Sequence, residues 1–145
     1  MTQSGLDWKQ YLSKQDCDYL IQYVENIKYG VSNDKMVILS GVNDVGTFTI
    51  KKDIKTYLGN HLVGNHLKIE DILSSETIRK LVFITEMDDI CTQTLFSYNK
   101  RMNQSLINLI KYKQSFIATT VDDKNVHSKL REHCRILQVK DRRMA

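Results

Sequence analysis

The chain has 145 residues, 41% of them hydrophobic and 26% charged, with a formal net charge of +4. These values suit one domain with its own core, and the basic excess is too mild to demand nucleic acid as a partner. No apolar run approaches the roughly 18–20 residues of a membrane span, and the opening MTQSGLDWKQ lacks the basic and apolar regions of a secretory signal, so an intracellular protein is expected.

Proline is absent, so element ends must be read from glycine, Asn/Asp clusters and periodicity. Ser13-Lys-Gln-Asp16 resembles a capping box with Asp in the Glu place. Cys17, Leu20, Ile21, Val24 and Ile27 then recur at helical spacing, and Gly30 is a natural stop. Met36 to Leu39 reads as a short buried strand. After Gly41 and Gly46, the stripe Ile50, Ile54, Tyr57 and Leu58 predicts a helix closed by Gly59. Leu62-Val63 and Leu67-Lys68-Ile69 read as short strands, and Glu70 to Leu73 as one helical turn. A buried strand over Leu81–Thr85 ends in Glu86-Met87-Asp88-Asp89. A helix is predicted over Asn103–Lys111 with Leu106, Ile107 and Ile110 inward, a strand over Ser115–Thr120, a helix over Val126–His133 and a last strand over Cys134–Val139.

Strands alternating with helices predict an α/β fold: a single three-layer domain with a mostly parallel sheet and an N-terminal helical lead-in. The expected division is a helical segment over residues 1–34 and the α/β domain over residues 35–145, one compact unit. Cys17, Cys91 and Cys134 are scattered and include no CxxC, which favours buried free thiols over a disulfide framework or a zinc knuckle. His61, His66, His127 and His133 lack metal-ligand spacing, and no catalytic triad is visible. Tyr19, Tyr23 and Tyr29, on or near the first helix, are expected to pack in the core rather than stack on a base.

In an open parallel sheet, ligands bind beyond the carboxyl ends of the strands. Gly41-Val42-Asn43-Asp44-Val45-Gly46-Thr47-Phe48 has the strand–glycine–four residues–glycine–helix layout of a phosphate-binding P-loop. The acid-tipped strand Leu81–Glu86, the polar-tipped strand Phe116–Thr120 and the Arg-bearing segment Leu130–Leu137 follow in order. This order resembles the ATPase core of viral superfamily 3 helicases, especially the primase-helicases of large DNA viruses and phages. The resemblance spans about residues 35–140. It implies a P-loop NTPase-like fold with a nucleotide site at Gly41, Asn43, Gly46 and Thr47. It further implies a Walker B-like pair at Glu86 and Asp88, a sensor place at Thr120, and arginine-finger candidates at Arg131 and Arg135. A viral or phage origin, with location in the host cytoplasm or nucleus, is an implication of the resemblance only.

The departures weigh more than the matches. In a working P-loop a lysine bridges the β- and γ-phosphates, and the Ser/Thr after it ligates magnesium. Those two places here read Thr47-Phe48, and Asp44 adds negative charge inside the loop. One lost charge-assisted contact in such a site commonly costs about 3 kcal/mol. The loop is therefore expected to be degenerate, with no catalytic residues, no metal site, and no tight binding of ATP or magnesium. Lys51 and Lys52, about a turn further on, are poor replacements. The expected role is binding a protein partner, self-association or nucleic acid, with no membrane role. An atypical active ATPase and a basic nucleic-acid-binding or structural module are the alternatives. For Glu86, Asp88 and Asp89 a solvated strand end is favoured; Arg131 and Arg135 are balanced between finger relics and salt bridges; Thr119 and Thr120 are read as strand-end packing.

Overall fold

Ser13 begins the first helix as a side-chain cap: its Oγ accepts from the Asp16 amide at 3.2 Å, with Ser13 itself extended at φ −62, ψ 163. The helix, α1, runs Lys14–Lys28 and buries Cys17, Leu20, Ile21, Tyr23, Val24 and Ile27. It ends at Gly30, whose φ of 75 lets Val31 N–H reach Asn26 O at 2.8 Å and Gly30 N–H reach Ile27 O at 3.4 Å. That pair of bonds is a Schellman cap, which satisfies carbonyls the helix leaves open.

The computed structural model describes residues 5–41, 45–59, 63–66, 81–84, 104, 107–111, 114–120, 123, 126 and 128–140. Its sheet contains β1 (Met36–Ser40), β2 (Val63–His66), β3 (Leu81–Ile84), β4 (Ser115–Thr120) and β5 (Cys134–Gln138). Helix α2 spans Val45–Leu58 and a one-turn α3 spans Ser128–Arg131. The strand order is β2-β3-β4-β1-β5, and every pairing is parallel. β4 therefore lies between β1 and β3, and all carboxyl ends emerge at one edge.

All five residues of β1 are buried, as expected for a central strand covered on both faces. Val37, Leu39, Phe83, Ile117 and Leu137 share one core with α1 and with Ile50, Ile54 and Leu58 of α2. Met36, Ile38, Phe116, Ala118 and Cys134 share a second core with Ile107, Ile110, Val126 and Leu130. The alternation of strand residues between the two cores gives three layers, and the predicted α/β class holds.

The segment before α1 is part of the first core, a role its sequence did not suggest. Trp8 is fully buried, and its Nε1 donates to Asp53 Oδ2 of α2 at 3.1 Å. Tyr11 and Leu12 are buried beside it, and Tyr11 O accepts from the Lys140 amide at 2.7 Å. At the opposite, amino edge of the sheet, Tyr23 Oη lies 2.9 Å from Lys35 O and accepts from the Phe116 amide at 3.2 Å. Among the described residues no helix is long and apolar enough to cross a membrane.

Several boundaries differ from expectation. The helix predicted over Val126–His133 is confined to α3; Val126 sits in a bend, though its side chain is still buried. β2 begins at Val63, inside the first of the two short strands expected here, and runs on to His66, while residues 60–62 and 67–80 lie outside the described set. β1 reaches one residue further, to Ser40. β5 stops one residue short, at Gln138, and β3 is described over Leu81–Ile84, with residue 85 outside the described set. Of the three tyrosines expected in the core, Tyr23 is buried, Tyr19 is half-buried against it, and Tyr29 is 67% exposed because it caps α1 outward. Cys17 and Cys134 are buried free thiols, and burial pushes the Cys134 thiol up to about 12. Cys91 lies outside the described residues.

Candidate functional site

The strand-to-helix bend sits at the carboxyl edge of the central strand. Gly41 follows β1 with φ 148, and its amide donates to Thr120 O at 3.0 Å. A Cβ built there would stand 2.8 Å from the carbonyl oxygen of Val139. Glycine is thus required by the approach of the chain leaving β5, whatever the loop binds. Residues 42–44, with Asn43 and Asp44, lie outside the described set; α2 begins at Val45. Its first turn, among the described residues, contains no acidic residue.

The helix face decides where the two key side chains go. Thr47 heads the stripe Thr47, Ile50, Ile54, Leu58, and all four are buried. Gly46 is buried next to it. Phe48 is one residue around the helix and is 67% exposed. At the two positions where a phosphate-binding loop places its lysine and its metal-binding hydroxyl, the chain therefore has a buried threonine and an aromatic ring in solvent.

Lys51 does not fill the gap. Its Nζ lies 5.4 Å from the centroid of the Phe83 ring, with Lys55 Nζ at 5.8 Å from the same ring. Burial, and secondarily the charge of Lys55, holds the Lys51 amine below its ordinary value. Phe83 pairs with Ile117, which precedes Thr120 by three residues. At about 3.3 Å per residue that ring is about 10 Å short of the strand tips.

One carboxylate organises the edge itself. Asp123, just beyond β4, accepts from Ser40 Oγ at 2.9 Å and from Gln138 Nε2 at 2.6 Å through the same Oδ2. Arg131 of α3 donates Nη2 to the Asp123 carbonyl and lies 3.5 Å from Oδ1. The tips of β1 and β5, the exit of β4 and α3 are all joined at this residue. The Gln138 amide first, then Ser40 and Arg131, hold the Asp123 carboxyl below the usual carboxylate range, against partial burial.

The structure gathers Gly41, Gly46, Thr47, Thr120 and Arg131 around this edge. Thr120 is buried and pairs in register with Ser40. Arg135 is elsewhere: it pairs with Val37, lies 3.7 Å from Asp16 Oδ1, and stacks 4.9 Å from the centroid of the Tyr19 ring. Glu86, Asp88 and Asp89 lie outside the described residues. Ser40, Asp123 and Gln138 were not singled out from sequence. Asp122-Asp123 after an apolar strand repeats the acid-tipped pattern seen at Glu86, and is the sequence signal that points to this carboxylate.

No protein-family model matches the sequence, and comparison with curated proteins gives no significant match. Solved structures do match in shape. Thermotoga maritima RuvB, a Holliday junction branch migration motor, superposes with TM-score 0.58 at 15% identity, over 88% of this chain and 45% of that one. The DnaC helicase loader gives 0.53 at 12% identity over 92% of this chain and 96% of that one. The FIGL-1 AAA domain gives 0.55 at 11% identity over 95% and 57%. The chain spans under half the length of the RuvB structures it matches. It has the P-loop NTPase fold.

Proposed function

We propose that this chain is a degenerate helicase-type P-loop domain that works by binding a partner rather than by hydrolysing ATP. The observation that carries this reading is the buried Thr47 and the exposed Phe48 at the head of α2. Among the described residues the lysine place is a buried threonine, the place of the metal-binding hydroxyl is an exposed phenylalanine, and Lys51 is held over Phe83, a set that does not fit magnesium–nucleotide. The order of loop, acid-tipped strand, polar-tipped strand and arginine segment supports kinship with the viral superfamily 3 helicases, and with it a viral or phage origin and an intracellular site of action. The likeness in fold to a helicase loader supports a protein partner, such as an oligomeric ATPase or another replication protein. Nucleic acid and self-association are the other partner classes in this reading.

Two measurements test it. Calorimetric titration with ATP and magnesium should give no saturable heat and no turnover; tight binding with hydrolysis overturns the reading. Titration with single-stranded DNA over a salt series separates the partner classes, because direct binding through basic residues gives a steep salt slope.

A further inference from the structure

We infer that the outward face of α2 is a docking surface for an acidic protein segment, with Phe48 as its apolar anchor and Lys52 and Lys55 as its cationic rim. The inference rests on the partner-binding reading above and names the chemistry of that partner. Phe48, Lys52 and Lys55 follow one another at helical spacing, so they share one stripe of α2. Phe48 is 67% exposed, Lys52 is exposed and Lys55 is half-buried. The stripe lies apart from the buried positions Thr47, Ile50, Ile54 and Leu58.

Charge decides the kind of partner. Helix α2 contains Lys51, Lys52 and Lys55 and a single acid, Asp53. Asp53 is on another side of the helix, where its Oδ2 accepts from Trp8 Nε1. The stripe itself is therefore of one sign. Lys51 and Lys55 lie over the same buried Phe83 ring, at 5.4 and 5.8 Å from its centroid. Two like charges are thus held side by side, and a carboxylate brought to this face relieves their repulsion. Helix α1, which shares the core beneath α2, differs: Lys14, Asp18 and Lys28 give its exposed surface mixed signs. Attraction for anions is accordingly local to α2 and does not follow from the net charge alone.

The aromatic content favours a peptide over single-stranded nucleic acid. Single strands stack successive bases on several aromatic side chains, and this stripe has one. Protein interfaces instead centre on a few aromatic anchors, with charges at the rim.

The test is fluorescence polarisation of the full chain with a fluorescein-labelled peptide of aspartate and glutamate around one central leucine. The same peptide with lysine in place of its acids, and a labelled oligothymidylate, are the comparison probes. The acidic peptide should bind, the basic one should not, and oligothymidylate should bind at least about tenfold more weakly. Phe48→Ala and Lys52→Glu should each weaken acidic-peptide binding about tenfold or more. Lys14→Glu makes the same charge change on α1 and should shift affinity less than about twofold. Phe48 and Lys52 are exposed, so both variants should fold; where circular dichroism shows Phe48→Ala misfolded, Phe48→Gln takes its place. Failure of the acidic peptide to bind overturns the proposal, as does binding that survives either α2 substitution. An equal loss in Lys14→Glu, or tighter binding of oligothymidylate, overturns it too. Turnover of ATP by wild type would sink the non-catalytic reading, whereas a silent acidic peptide sinks this inference alone.

Discussion

Replacing Gly41 by alanine separates a glycine kept for phosphate from a glycine kept for packing. At φ 148 an L-residue is strained, at about 1–2 kcal/mol. Its methyl would also stand 2.8 Å from Val139 O, a backbone atom that moves only if the end of β5 moves. Overpacking of that kind costs a further ~1–3 kcal/mol. The sum is a loss of about 2–5 kcal/mol with no ligand present. Gly30 is the internal control: its φ is 75, but nothing lies within 4 Å of a Cβ there, so Gly30→Ala should cost only about 1 kcal/mol. Urea denaturation followed by fluorescence of Trp8, the single tryptophan, reads both variants. Equal losses in the two would refute the argument that Val139 sets the requirement.

Tyr23→Phe should destabilise by about 1–3 kcal/mol, because Phe116 N–H and Lys35 O lose a buried partner. Burial raises the Tyr23 phenol well above its ordinary 10.0. Its contribution is therefore complete below that value and falls as pH rises past it, when the unfolded chain ionises and the native one keeps its proton. The gap between wild type and Tyr23→Phe should narrow above that value by about 1.4 kcal/mol per pH unit, and a constant gap would contradict the burial argument. Thr47→Lys with Phe48→Thr restores both missing groups, and nucleotide affinity should rise at least about tenfold by calorimetry. A folded double variant with no affinity would mean that the bend does not form a phosphate cradle.

The sheet was legible because its strands are apolar runs of the length a doubly covered strand needs, as with Met36–Ser40 and Ser115–Thr120. Helix α1 was legible because Ser13 and Gly30 bracket one apolar stripe. Trp8 was not, since its role depends on Asp53, 45 residues away, and no local period announces such a bond. Asp123 was missed for a related reason. Its partners Ser40 and Gln138 become neighbours only once the parallel register is set. That Thr47 lies on the core stripe of α2 while Phe48 faces water is not legible without the helix built from Val45.

The most direct measurement is an NMR titration of the nitrogen-15-labelled wild-type chain with ATP and magnesium, following the amides of Gly41, Gly46 and Thr47. A cradle without its cation predicts no saturable shift at these amides and no appearance of ADP. Saturable shifts centred on Gly46 and Thr47, accompanied by hydrolysis, would contradict it.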